Sequence, residues 1–215
     1  MSLATLLLLA DGRLPSGGHA HSGGLEPQIS AGRVRDVTGL EGFLHGKLAT
    51  SGLVAAAFAA ATCADVRRCG ELDAGMDART PSPALRKASR AQGRALLRAG
   101  RAMWPVSPHT GREPHQPVAL GALAAAAGLQ PLEAAVAAAH GVTTGTASAG
   151  VRLLGLDPYA VHALLARLAP VCDRIAAQAA DRCGDAVDDL PAAGAPLLDI
   201  GAEHHATWEV RLFAS

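Results

Sequence analysis

The chain has 215 residues, enough to bury a core in one domain, and 49% of them are hydrophobic, which excludes a disordered chain. Forty-eight are alanine and aromatics reach only 3%. Alanine favours helices over strands, so an all-β sandwich or barrel is excluded. The 19 basic and 19 acidic side chains cancel, yet residues 1–112 hold 14 basic and 8 acidic groups while residues 113–215 hold 5 and 11. Neutrality argues against a nucleic-acid-binding domain. The split favours protein partners with complementary patches unless folding interleaves the halves.

In chain order, Met1–Ala10 is an apolar run too short to span a bilayer, with no basic segment before it. It is predicted as a short core helix, and the chain as cytoplasmic. Leu53–Ala61 is likewise too short and too Ala-rich for a membrane span. Pro83–Met103 reads as a helix, with Leu85, Ala88, Gln92, Leu96, Ala99 and Met103 at spacings of three and four. Arg86, Arg90, Arg94, Arg98 and Arg101 form a second stripe. Residues 104–117 carry four prolines and form a loop, because proline removes donors and stops helix propagation.

Val118–Ala127 and Leu132–Gly150 are Ala-dense and nearly uncharged, the pattern of helices buried on several faces. Asp157 before Pro158 is a helix start. The pattern Val161, Leu164, Leu165, Leu168, Val171, Cys172 and Ile175 follows, and this helix is predicted to reach Cys183. Residues 185–196 are a break, and a final helix runs from about Leu197. Cys63, Cys69, Cys172 and Cys183 form no CxxC pair and read as buried thiols. The fold expected is all-α, a single domain over 1–215 with an Ala-rich core and about eight to eleven helices.

Three segments carry candidate chemistry. Asp11–Glu26 (DGRLPSGGHAHSGGLE) gathers four glycines with His19 and His21. It is not a phosphate loop, since no GKS or GKT follows. No GxSxG elbow makes Ser16 or Ser22 a hydrolase nucleophile. The two histidines are a candidate metal pair without nearby Cys or carboxylate ligands. The bland reading is a glycine turn joining helices; its polar residues suggest that it also meets a partner. The arginine stripe reads as a solvated face or a protein-docking face, and it lacks the interleaved aromatics of a nucleic-acid binder. The C-terminal segment 197–215 concentrates Asp199, Glu203, His204, His205, Trp208, Arg211 and Phe213. It is either an imidazole–carboxylate metal site or an amphipathic helix whose Leu197, Ile200, Trp208, Leu212 and Phe213 bury against the body or a partner. No nucleophile–base pair is assignable, so neither enzyme activity nor a cofactor is expected.

Together these segments resemble the urease accessory protein F (UreF) family. The resemblance rests on Asp11, Pro15, Ser16, Gly17, Gly18, His21, Ser22, Gly23, Gly24, Leu25 and Glu26. It continues with Ala88, Ser89, Arg90, Gln92, Gly93, Arg94, Leu96, Leu97 and Arg98, then with Ala149–Leu153. It ends on Pro196, Leu198, Asp199, Ile200, His205, Arg211, Leu212, Phe213 and Ser215. His19 stands where many members have Phe or Tyr, Ala206 where Glu usually follows the histidine, and Ala214 where Arg is frequent.

The resemblance implies an all-helical homodimer that is no enzyme. It implies binding to the accessory protein UreD (UreH in some bacteria), recruitment of the GTPase UreG, and docking on apo-urease for nickel insertion. It also implies a tail, 197–215, that becomes ordered on UreD, with Arg211 on the face that meets UreG. The partner-binding residues expected on this basis are Pro15, Gly17, Gly18, His19, His21, Ser22, Gly24, Glu26, Arg90, Arg94, His205, Arg211 and Phe213. The competing expectation is a metallochaperone holding Ni²⁺ through His19/His21 or His204/His205.

Overall fold

The structure, a computed structural model, describes residues 2–213; the match at Ser215 and the departure at Ala214 lie outside the described residues. Helix starts follow local side-chain chemistry. The Ser2 hydroxyl accepts the Thr5 N–H to open α1 (Leu3–Ala10). α2 (Leu25–Ser30) leaves Gly24 at φ 86°, in the left-handed region that suits glycine. Asp36 caps α3 (Val37–Lys47), which continues through a π turn at Leu48–Gly52 into α4 (Leu53–Ala64). α5 is Cys69–Ala78. α6 (Pro83–Arg101) starts at Ser82 and α9 (Pro158–Ala180) at Asp157, each cap followed by proline. α7 (Gln116–Ala126) begins at the end of the Pro-rich loop. Gln130 and Glu133 exchange capping-box bonds at the start of α8 (Pro131–Leu154). α10 (Pro196–Ala206) is last, and no strand occurs among the described residues.

α8 is the central helix and packs on α9, α4 and α7. Ala56, Ala57, Ala59 and Ala60 of α4 share one buried cluster with Ala134, Ala135, Ala137, Ala138, Ala176 and Ala179. Small side chains let the helix backbones approach closely. Gly121 on α7 shows this, because a Cβ there would stand 2.3 Å from the Ala59 carbonyl oxygen of α4. Gly121→Ala is therefore expected to destabilise the fold by about 2–3 kcal/mol, read as a lower urea midpoint. Gly141→Ala, on an open stretch of α8 where a Cβ would meet nothing within 4 Å, should leave the midpoint unchanged or raise it.

Several expectations need correction. The first helix is not a core helix: Leu3 is 66% exposed and Leu7 71%, and only Leu9 is buried. The apolar segment at Leu53 is part of a longer rod. Val37–Ala64 runs 28 residues and is long and apolar enough to cross a membrane, yet 61% of its apolar window is buried among the other helices. It serves as a core helix. The buried stripe of α6 is Gly93, Leu96, Leu97 and Gly100, and Met103 is exposed. The glycines face inward because a Cβ at Gly93 would meet the Pro114 carbonyl and one at Gly100 the Leu123 side chain. α9 stops at Ala180, leaving Cys183 in the turn beyond it. α10 stops at Ala206, so Trp208 to Phe213 form an irregular return. Leu197, Ile200 and Leu212 are exposed while Phe213 is buried.

Folding also interleaves the two charged halves. Arg68 donates to the carbonyls of Cys183 and Asp185. Arg79 donates to those of Val187, Leu190 and Pro191. Arg167 pairs with Glu41. Arg68 and Arg79 of the basic half are therefore spent on backbone carbonyls of the acidic half.

Candidate functional site

The glycine loop and the C-terminal tail meet at Glu26. Gly17, Gly23 and Gly24 take positive φ values of 76°, 62° and 86°, and these turns bring α2 back under the tail. Ser22 is buried and its hydroxyl accepts the Glu26 N–H. From the first turn of α2, the Glu26 carboxylate accepts three hydrogen bonds. His205 Nε2 donates to Oε2 at 2.9 Å, the Leu212 N–H to Oε1 at 3.0 Å and the Phe213 N–H to Oε2 at 3.1 Å. His205 is 1% exposed, and Trp208 stands edge-on to its ring at 4.7 Å. Phe213 is buried beneath Arg152, whose guanidinium lies 4.4 Å from the ring centroid. Arg152 also donates to the His19 carbonyl at 3.0 Å. One arginine of α8 thus joins the loop to the tail.

Two further contacts seat α10. Gly24 lies against Leu198, where a Cβ would come within 3.1 Å. Glu203 accepts the Ser82 hydroxyl and, at 2.9 Å, the Ala84 N–H, so α10 is bound to the start of α6. These bonds hold the Glu203 carboxyl below the usual range. Beneath the loop, Lys47 donates to the Gly23 carbonyl and to Thr146 Oγ1. Burial pushes its amine down to about 8.

Of the predicted partner-binding residues, Gly17, Gly18, His19, His21, Ser22, Gly24, Glu26, His205 and Phe213 lie in this one assembly. Pro15, Gly17, Gly18, His19 and Arg211 are exposed; Ser22, Gly24, Glu26, His205 and Phe213 are buried and hold the assembly together. His21 is half-buried, and that burial lowers its pKa.

Arg90 and Arg94 belong to a different knot, where α5, α6 and the 111–115 loop meet. Arg90 pairs with Asp73 at 2.9 Å and Asp77 at 2.7 Å and donates to the Glu113 carbonyl. Arg94 pairs with Glu113 at 3.0 Å. The arginine stripe is thus bound within the fold at these two positions. At its centre His115, fully buried, bonds through Nε2 to Asp77 at 2.9 Å and through Nδ1 to Ser89 at 3.0 Å. Burial lowers the His115 pKa, opposed by the Asp77 bond. A neutral ring then donates from Nε2 and accepts the Ser89 hydroxyl. Serine, histidine and aspartate stand in line, but the Ser89 oxygen already accepts the Gln116 N–H. The chain of bonds is a strut that ties the Pro-rich loop to two helices.

Sequence reasoning missed Arg152, Lys47 and the Ser82–Glu203 link. Arg152 stood within the Ala149–Leu153 segment, and that was its only signal. Among the described residues no group of three or more His, Cys, Asp or Glu side chains is arranged to hold an ion, so neither histidine pair is part of such a group.

Fold and site together define an all-helical protein whose C-terminal tail is folded back onto a glycine loop near its N-terminus. Its sequence matches the UreF family over residues 34–169. A protein of Mycobacterium sp. (strain JLS) named urease accessory protein UreF is 48% identical over 216 residues, covering 100% of this chain and 99% of that protein. Similar proteins bearing that name occur in Mycolicibacterium vanbaalenii, 47% identical over 100% of this chain and 99% of the relative. In Mycobacterium tuberculosis the identity is 43%, over 95% of this chain and 94% of the relative. The chain belongs to the UreF family.

Proposed function

We propose that the chain is a urease accessory protein acting as a non-catalytic scaffold. With UreD (or UreH) it recruits the GTPase UreG, modulates it, and delivers the assembly to apo-urease for nickel insertion, working as a cytoplasmic homodimer. Membership of the family supports the urease assignment. The observation that most supports a scaffold is the outer face of the tail. Leu197, Ile200, Val210 and Leu212 are 58%, 67%, 85% and 75% exposed, beside an exposed Arg211. Apolar groups around an arginine are the composition of a protein interface. The segment bearing them is fastened from behind by Glu26, Arg152 and Ser82, so it is presented without a large ordering cost.

Pull-down with UreD and UreG homologues tests the reading. Wild type captures both, and a chain that captures neither is no scaffold for them. Arg211→Ala should weaken UreG capture about tenfold or more with an unchanged thermal midpoint; full capture by the variant would remove Arg211 from the interface. A direct nickel-carrier role draws no comparable support, since His205 is committed to Glu26 and His21 is half-buried. Calorimetric titration with Ni²⁺ distinguishes it.

A further inference from the structure

The cations of α6 divide between two faces. Arg86 donates to the Thr80 and Pro81 carbonyls, and Arg90 belongs to the knot with Asp73 and Asp77. Lys87, Arg94, Arg98 and Arg101 are all exposed. At 3.6 residues per turn these four fall within about 60° of one another around the helix and span about 21 Å along it.

The fold uses little of this outer charge. Arg94 pairs with Glu113, but the two side chains remain 48% and 57% exposed. Arg101 donates to the Gly111 carbonyl. Lys87 and Arg98 make no hydrogen bond or ion pair among the described residues. Arg98 stands four residues from Arg94 and three from Arg101, the spacings at which like charges on a helix repel. No acid on α6 relieves them, since none occurs between Asp77 and Glu113. Next to the cations around the helix runs a ridge of alanines, Ala84, Ala91, Ala95 and Ala102. The first three are half-buried and the last is exposed. The glycine loop walls this ridge, because a Cβ at Gly17 would stand 3.6 Å from that of Ala95.

We propose that the outer face of α6 docks an acidic helix of a partner protein. Its backbone approaches over the alanine ridge, and carboxylates at matching intervals pair with Lys87, Arg94, Arg98 and Arg101. Each of those pairs is formed at a surface that costs little to desolvate, and together they neutralise a row of cations that the fold leaves opposed to one another. The face carries no aromatic side chain on which a base could stack, and methyl groups offer nothing to a phosphate, so a polypeptide suits it better than a nucleic acid. The inference rests on the scaffold reading in that the occupant is a protein. A synthetic probe keeps the two separable, since failure of the pull-down leaves the peptide result standing and the reverse also holds.

The probe is a fluorescent alanine-based peptide of about 21 residues, long enough to form helix, with glutamates at the intervals of the four cations. A peptide of the same composition with its glutamates spread around the helix is the control. Fluorescence anisotropy with the full chain should show the striped peptide binding about tenfold more tightly than the control, the gain of several aligned surface pairs, and weakening as salt is raised. Lys87→Glu combined with Arg98→Glu should erase that advantage with an unchanged thermal midpoint, because neither side chain bonds within the fold. Arg174→Glu, an exposed reversal on α9, should leave it intact. Equal binding of the two peptides, or equal loss in the α6 and α9 variants, would overturn the proposal. So would a short DNA duplex bound more tightly than the striped peptide through Lys87 and Arg98, which would give the face to nucleic acid.

Discussion

Glu26→Ala is expected to release the C-terminal return and to lower stability by about 3 kcal/mol, the scale of leaving several buried donors without their shared carboxylate acceptor. The carboxylate is the common acceptor for His205, Leu212 and Phe213. Without it two backbone N–H groups and a buried imidazole lose their partner at once, and Phe213 loses the anchor that keeps it under Arg152. Hydrogen exchange should show Leu212 and Phe213 amides passing from protected to fast, with the core of α4, α7 and α8 unchanged. Glu26→Gln keeps the shape but replaces one accepting oxygen with an NH₂ group that faces a donor. It should fall between wild type and alanine. If the scaffold reading is right, partner capture declines in the same order. Capture unaffected by Glu26→Ala, with the tail shown to be released, would separate tail order from recruitment.

The second large effect is expected at Arg90. Arg90→Leu leaves Asp73 and Asp77 facing each other without their shared cation, and it removes a bond to the Glu113 carbonyl. The cost expected is about 2–3 kcal/mol, tempered because the site is partly solvated. This knot also makes stability depend on pH. Burial holds the His115 pKa below 6.5 in the folded chain, so below pH 6.5 the unfolded chain takes up the proton first and stability falls with pH. Burial alone would raise Asp77, but its bonds from His115 and Arg90 outweigh this and lower it. That contribution is present above pH 3.8 and is lost as pH drops further. Urea midpoints measured between pH 8 and pH 5 should decline toward acid. In His115→Gln, which has no proton to gain, the decline between pH 6.5 and 5 should become shallower, the remainder belonging to His21 and His140, whose pKa values burial also lowers.

Periodicity and proline punctuation made the fold readable. Asp157–Pro158 marked a helix start that the structure contains, and the Ala-dense segments are the buried helices. Exposure was not readable at α1, because leucines spaced for burial carry no mark of whether another layer covers them. The terminal helix was drawn too long because apolar residues past Ala206 fit its period, while its end depends on bonds to Glu26, distant in sequence. The same distance hid the site. His205 and Phe213 stood out as tail residues and Glu26 as a loop residue, but only folding makes one carboxylate serve both. Arg90 looked like surface because its acidic partners Asp73 and Asp77 sit on a preceding helix, outside the spacing that reveals pairs within a helix.

The bond between Glu26 and the Phe213 backbone spans 187 positions. During synthesis the N-terminal part emerges first and can pack α1 to α9 before the acceptor's partners exist. The entropy of closing so long a loop grows only logarithmically with its length, so the late step is easily met once the end arrives. A product terminated early would thus own the helical body yet lack the tied return. The clasp closes only once synthesis has passed Phe213.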